Sequence, residues 1–288
     1  CGSITGAPKI ATMEIIKKLE PQPRGVYCGT IGILLPNGRR IFNVAIRTIQ
    51  LHQGKAIYGV GGGITWDSTW ESEYREVHQK AAVLYRKQAR FQLITTGKIS
   101  QKSLLFEEQH MERLRKASRY FAFPFDPEKL RQKIEIECQA CASHQDYRLR
   151  ISLSKSGEIE LSRQILTPLS PSFCQAKLCL QKADLQQAFT YFKTTHRPHL
   201  TLGKQEIIYH NAAGELLETS IGNLVLKIDG KLYTPPINLG ILSGIYRQHL
   251  LGKGQVEEKI LTLADLNQAE AVYGCNAVRG LYELEFES

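Results

Sequence analysis

Between positions 147 and 154 apolar side chains at Leu149, Ile151 and Leu153 alternate with polar ones. A period of two is that of a strand with one buried face. A second strand is predicted to return over 158–164, with Ser156-Gly157 as the turn. Elsewhere the period is helical. Over 68–90 the residues Tyr74, Val77, Ala81 and Leu84 fall on one face, and Ser72, Arg75, His78, Gln79 and Arg86 lie opposite. Further helices are predicted over 8–19, 107–121, 127–143, 246–252 and 263–268. Strands are predicted over 25–35, 40–50, 55–60, 177–185, 206–210, 224–228 and 231–234, with a short one from Phe91 and a tight turn at Asp229-Gly230.

The pattern changes grammar near residue 90. Residues 1–90 read as an α+β piece with little core of its own. Residues 91–288 read as a two-part α+β domain, 91–168 and 173–288. Pro168 and Pro171 mark a connecting stretch at 167–172.

Composition narrows the class. At 288 residues, with 42% hydrophobic and 23% charged residues, the chain has the profile of a globular protein with room for more than one domain. No apolar run approaches a membrane span of roughly 18 residues, and no secretory pattern opens the chain, so the cytoplasm is the expected compartment. The seven cysteines are odd in number and scattered, which fits a reducing compartment. Cys138 and Cys141 form a CxxC near His144, but no second ligand pair follows at zinc spacing and the flanks read as helix. The formal charge of +9 is spread without a basic block or interleaved aromatics, which speaks against nucleic acid. Small anionic ligands or a solvated basic surface account for it equally well.

Candidate chemistry lies in both parts. In the first, Glu73, Glu76 and Lys80 occupy an arc at the edge of the apolar helix face. Carboxylates at i and i+3 can share Mg²⁺, whereas Glu76 and Lys80 at i,i+4 can equally form a surface pair. GVGGGI at 59–64 offers successive backbone N–H groups, and Arg47 sits in a predicted apolar strand where it would require an anion. In the second part, Lys193 follows Tyr191 and Phe192 at a predicted strand end. Burial there favours a neutral, nucleophilic amine, although a lone lysine after aromatics is more often a snorkelling surface residue. Glu218 lies between an apolar pair and a Thr-Ser-Ile-Gly-Asn turn, and Gly244, Ile245 and Tyr246 stand at a helix start suited to phosphate.

The motifs GSITGAPK, AIRT, GVGGGI and DS...ESEYREV...KA, in that order over about 85 residues, resemble the C-terminal part of the chorismate-utilising enzymes, closest to aminodeoxychorismate synthase component I. The resemblance implies that Thr5, Gly6, Ala7 and Lys9 line a chorismate pocket. It also implies that Arg47 and Lys80 bind the carboxylates, Gly61, Gly62 and Gly63 present N–H groups, Tyr58 meets the ring, and Glu76 with Glu73 serves Mg²⁺. Thr69-Trp70 and Val77 depart from the family's usual Asp-Pro and Thr. In that family most of the sheet, another metal-binding glutamate and, in the aminodeoxychorismate synthases, a lysine nucleophile precede this stretch, so chorismate amination is not expected of it alone. The resemblance further implies a glutamine amidotransferase partner.

From Phe91 onward, HMERLRKASRYFAF, FKTTHR, GELLETSIGNLVL, GKLYTPPINLGILSGIYRQHLL and CNAVRG resemble the fold-type IV pyridoxal phosphate (PLP) enzymes, most closely the 4-amino-4-deoxychorismate lyases. The resemblance implies that Lys193 is the Schiff-base lysine and that Glu218 faces the pyridine nitrogen. Arg113, Gly244, Ile245, Tyr246, Asn276 and Ala277 would hold the phosphate, in sites commonly completed across a homodimer. Ala277, Leu200 and Thr95 depart from a usual Ser, Tyr and Glu. The activity implied is elimination of pyruvate from aminodeoxychorismate to give p-aminobenzoate, in folate biosynthesis. Lys193 would move the proton, with Thr96 or a water as candidate donor to the leaving enolpyruvate. Arg279 is a candidate for a substrate carboxylate or for a structural pair. A class IV branched-chain or D-amino-acid aminotransferase is the rival reading, and an inactive fragment or binding subunit the non-enzymatic one.

Overall fold

The computed structural model describes residues 2–85, 89–181, 188–201 and 203–286. The chain divides into two compact units, Cys1–Gln88 and Ala89–Ser288.

The first unit runs α1 (Gly2–Thr5), α2 (Lys9–Leu19), a hairpin of β1 (Thr30–Leu34) and β2 (Arg40–Val44), a second hairpin of β3 (Ile49–His52) and β4 (Lys55–Tyr58), and α3 (Trp70–Tyr85). The single strand predicted over 40–50 is broken. After Val44 the chain pairs briefly through Ala45, which exchanges backbone hydrogen bonds with Cys28 and Gly29, and then turns through Arg47 at φ 54°. Ala45 is the only buried apolar residue among those described here, while Ile31, Phe42 and Trp66 are exposed. Two-stranded hairpins with uncovered apolar faces are marginal by themselves, and this unit has little core.

The second unit contains two layered parts. A four-stranded sheet of order β6-β5-β7-β8 is built from β5 (Leu93–Ser100), β6 (Ser103–Leu104), β7 (Tyr147–Leu153) and β8 (Ile159–Ile165). One face packs on α4 (Glu107–Phe121) and α5 (Pro127–Gln139), through Leu93, Met111, Leu114, Leu130, Leu149 and Ile151. The alternation in β7 therefore does what its period requires, apolar residues inward and Arg148 and Arg150 on the opposite face. Helix α5 ends at Gln139 instead of 143, and Cys138 and Cys141 both pack into this core. Cys141 Sγ donates to the Glu137 carbonyl at 3.2 Å, and no group of three metal-ligating side chains occurs among the described residues.

The connection at 167–172 ends in α6 (Pro171–Cys174), capped by the Ser170 hydroxyl. Next come β9 (Gln175–Leu180), α7 (Ala188–Tyr191), β10 (Ile207–His210), β11 (Leu216–Thr219), β12 (Asn223–Ile228), β13 (Lys231–Thr234), α8 (Ile245–Gly252), β14 (Glu257–Glu258), α9 (Leu263–Gln268), β15 (Ala271–Asn276) and β16 (Gly280–Phe286). The eight strands form one mixed sheet of order β11-β10-β9-β16-β15-β12-β13-β14. Part of the strand predicted over 177–185 lies outside the described residues. In this sheet β11, β14, β15 and β16 are additions to the predicted set. β11 is buried throughout and lacks the alternation by which a half-buried strand is recognised. No helix among the described residues is long and apolar enough to cross a membrane.

Candidate active site

Lys193 does not end a strand. It follows the single helical turn of α7 and lies in an extended segment stitched to the start of β5. Ile94 N donates to the Lys193 carbonyl at 3.0 Å, Thr195 N donates to Gln92 O at 2.9 Å, and Leu93 bridges Thr194. The lysine is thus fixed where the two layered parts of the unit meet. Burial, then the charges of Arg113 and Arg197, push its amine down to about 7, against the opposing pull of Glu218.

Glu218 comes from β11 and is buried. Its Oε1 accepts from Arg197 Nη2 at 2.8 Å and its Oε2 from Leu242 N at 3.4 Å. Burial raises its pKa, and Arg197 is the largest influence opposing that rise. Arg113, half-buried on α4, donates to the Ser243 carbonyl at 2.7 Å and has no carboxylate partner among the described residues. Burial, reinforced by Arg197, brings its guanidinium to about 10. Positive charge therefore exceeds negative around Lys193, and the surplus faces the turn before α8.

That turn is braced from β12. Asn223 Nδ2 donates to Leu242 O at 2.8 Å, and a Cβ at position 244 would fall on Asn223 Oδ1, so close approach requires glycine there. The first N–H groups of α8, at Gly244, Ile245 and Tyr246, have the geometry of a helix N-terminus. Asn276, at the end of β15, uses its side chain within its own turn. Oδ1 accepts from Val278 N and Arg279 N at 3.0 and 2.9 Å, and Nδ2 donates to Ile221 O at 3.4 Å. What Asn276 and the buried Ala277 can offer an anion is main chain. Arg279 donates to Thr167 O and is depressed by burial and by Arg148. Thr96 is half-buried on β5 opposite Arg150.

Five participants were not anticipated. Arg197 and Asn223 act through space on Glu218 and the α8 turn. Buried His110 shares a hydrogen with Thr95 at 2.6 Å, and burial with Arg113 and Lys193 lowers it to about 3, so it is neutral. Arg148 and Arg150 line a cavity of about 620 Å³ on the polar face of the four-stranded sheet, together with Gln92, Ser152, Gln164 and the single carboxylate of Glu160. Neither has an ion-pair partner among the described residues, and the field of Arg148 reaches Lys193. Their i,i+2 spacing opposite Leu149 and Ile151 was the readable signal.

In the first unit, Lys80 Nζ pairs with Glu76 at 2.5 Å and donates to Gly61 O at 2.8 Å, so the i,i+4 pair is present. Arg47 is exposed in its left-handed turn and donates to Lys80 O at 3.0 Å, which corrects the buried strand arginine expected for it. Glu73 accepts from Ser68 at 2.6 Å, and its second oxygen is buried against Gly62 without a partner. These contacts bring Arg47, Gly61, Gly62, Glu73, Glu76 and Lys80 together, with half-buried Tyr58 at the end of β4 leading into the glycine run. Thr5 and Lys9 bond one another beside Gly6 and Ala7.

With fold and geometry in view, the class follows. Residues 92–284 match the model of the amino-transferase class IV family, and the chain belongs to that family. Residues 1–86 match the model of chorismate binding enzymes. Aminodeoxychorismate synthase component 1 of Streptomyces lividans is 46% identical over 85 residues, which is 30% of this chain and 18% of that protein, so the chain spans under a fifth of such relatives. A Mesorhizobium loti structure provisionally assigned as an amino-acid aminotransferase superposes with a TM-score of 0.61 at 28% identity, covering 68% of this chain and all of the other. A Legionella pneumophila structure provisionally assigned as a 4-amino-4-deoxychorismate lyase gives 0.56 at 20%, covering 68% and 82%, and shares the fold.

Proposed function

We propose that the second unit is a PLP-dependent lyase that eliminates pyruvate from 4-amino-4-deoxychorismate to give p-aminobenzoate. The observation that carries this reading is the pairing of a lysine amine lowered to about 7 with a buried glutamate held by Arg197. The residues fit the cofactor. Among the described residues Arg113 has no carboxylate partner and Glu218 is the one carboxylate whose field opposes the depression of Lys193, and the α8 N-terminus has no side-chain cap. When bound, PLP supplies an electron sink for carbanion chemistry.

The chain's own groups then have separate tasks. Its lowered pKa makes an uncharged Lys193 amine accessible near neutral pH, so the residue can take the proton from the amine-bearing ring carbon, which is not reprotonated because the ring becomes aromatic as the enolpyruvyl group leaves. Glu218, paired through Oε1 with Arg197, would face the pyridine nitrogen and favour its protonated form. Arg113, the turn at Gly244, Ile245 and Tyr246, and the main chain of Asn276 and Ala277 would hold the phosphate. Arg148, Arg150 and Arg279 offer guanidinium groups to the two substrate carboxylates. Thr96 remains the candidate proton donor to the leaving enolpyruvate.

The match of residues 1–86 to chorismate binding enzymes and of 92–284 to class IV enzymes supports the lyase, since the two would act in succession on one precursor. For the first unit, Arg47, Tyr58, Lys80 and the glycine run would form part of a chorismate wall and Glu73 with Glu76 part of a Mg²⁺ site. Amination by this stretch alone is not proposed. An amino-acid aminotransferase is the second reading, favoured by the 28% identical neighbour. Titrating PLP into the purified chain tests the cofactor assignment. A visible absorption band fixed by borohydride as a covalent adduct on Lys193 is expected, and its absence would refute it.

A further inference from the structure

Strand β11 carries Glu218 into a tight turn, Thr219, Ser220, Ile221 and Gly222, and the chain returns as β12 with Asn223 directly opposite Glu218. Three parts of the candidate site hang on this turn. Glu218 precedes it, Asn223 follows it and braces Leu242 and Gly244, and Ile221 O accepts from Asn276. Against the turn lies Glu206, a carboxylate with no solvent exposure and no place in the mechanism above. No cation pairs with it among the described residues.

Its oxygens are instead occupied by donors of the turn and of β16. Oε1 accepts from the Ser220 hydroxyl and from Ile221 N at 3.3 Å, and Oε2 accepts from the Tyr282 hydroxyl at 2.9 Å. The Tyr282 ring occupies the space a Cβ of Gly274 would need, and its hydroxyl stands 3.0 Å from the Cβ position of Gly222. Ser220 N also donates to Ile207 O at 3.0 Å, next to Glu206 in the chain. A buried carboxylate without a cation is costly unless its acceptor sites are filled. Two of the three donors, Ser220 and Ile221, belong to the turn and fill Oε1, and the third, Tyr282, comes from β16 and fills Oε2, so displacement of the turn would strip one carboxylate oxygen of its partners.

We propose that Glu206, with Tyr282, is a positioning residue for the cofactor site, locking the 219–222 turn and through it Glu218, Asn223 and Asn276. The proposal rests on the PLP reading only for its functional consequence. Charged hydrogen bonds of this kind are worth about tenfold or more in an equilibrium when lost.

The test compares the full chain with Glu206→Gln, Tyr282→Phe and, as control, Thr234→Val, which removes a buried hydroxyl that donates to Leu224 O at 2.7 Å on another strand. In the cofactor-free chain, amide hydrogen exchange at Ile221, Gly222 and Val278 should quicken about tenfold in Glu206→Gln and remain near the parent rate in Thr234→Val. With PLP added, Kd should rise about tenfold and the circular dichroism of the visible band should change in the two network variants alone. Unchanged exchange in Glu206→Gln would overturn the proposal whether or not PLP binds, as would an equal response in the control. Should Glu206→Gln fail to fold, Tyr282→Phe decides on the same criteria. A parent chain with quickened exchange in its variant but no PLP band refutes the cofactor reading instead.

Discussion

Arg197 Nη2 lies 2.8 Å from Glu218 Oε1, and this ion pair sets the charge of the carboxylate closest in effect to Lys193. Burial pushes the Glu218 carboxyl upward and Arg197 is the largest opposing influence. Removing one partner of a buried pair costs about 3–5 kcal/mol. Arg197→Met should therefore destabilise the cofactor-free chain by roughly that amount at pH 8. Glu218 then has a folded pKa raised further above its unfolded one, so the unfolded state binds fewer protons and stability falls as pH rises through that interval. Urea denaturation at pH 5 and pH 8 should show the variant losing more against the parent at pH 8.

Lys193 titrates in the opposite sense. Its folded value of about 7 lies below the unfolded value near 10.4. Between them the unfolded state binds more protons, so this residue's contribution to stability rises with pH from about 7 to about 10 and is most unfavourable below 7. Lys193→Met should flatten that dependence and raise the stability of the cofactor-free chain below pH 7 by a few kcal/mol (~2–4). Parallel denaturation curves for parent and variant across that range would contradict it.

Gly244 has no room for a side chain. A Cβ there meets Asn223 Oδ1, which already holds its place through the bond from Asn223 Nδ2 to Leu242 O. Gly244→Ala should cost about 1–3 kcal/mol in the cofactor-free chain and weaken PLP binding about tenfold by moving the α8 N-terminus. Calorimetric melting and a PLP titration of the same variant check the two effects.

These positions were not equally legible in the sequence. Glu218 among apolar residues is legible because its neighbours make charge costly, whereas Lys193 after two aromatics reads more often as a snorkelling surface residue and is singled out by the family resemblance. Arg197 and Asn223 are not legible, since their partners lie 21 and 19 residues away and meet them only through the sheet. Arg47 was misread because an apolar run suggests a continuous strand, whereas a left-handed residue interrupts it. Strands β15 and β16 escaped notice for a different reason. They pair with each other as a short hairpin and are extended on either side by the sequence-distant β12 and β9, and burial of both faces at Gly274 and Cys275 blurs the alternation that marks a half-buried strand.

Arg148 and Arg150 share the cavity of about 620 Å³ and lack ion-pair partners among the described residues. A charge-assisted bond to a substrate carboxylate is worth about 1.5–3 kcal/mol. Arg150→Gln should raise KM for aminodeoxychorismate roughly 10- to 100-fold with kcat changed by only a few fold, and Arg148→Gln should do likewise. Steady-state kinetics on both variants would detect the split, and an unaltered KM would remove these residues from substrate binding.

The most direct measurement supplies aminodeoxychorismate and PLP to the purified chain and quantifies p-aminobenzoate and pyruvate. Equimolar release of both products, abolished by Lys193→Ala, is the predicted result. Conversion of amino-acid and keto-acid pairs without either product would contradict the lyase assignment.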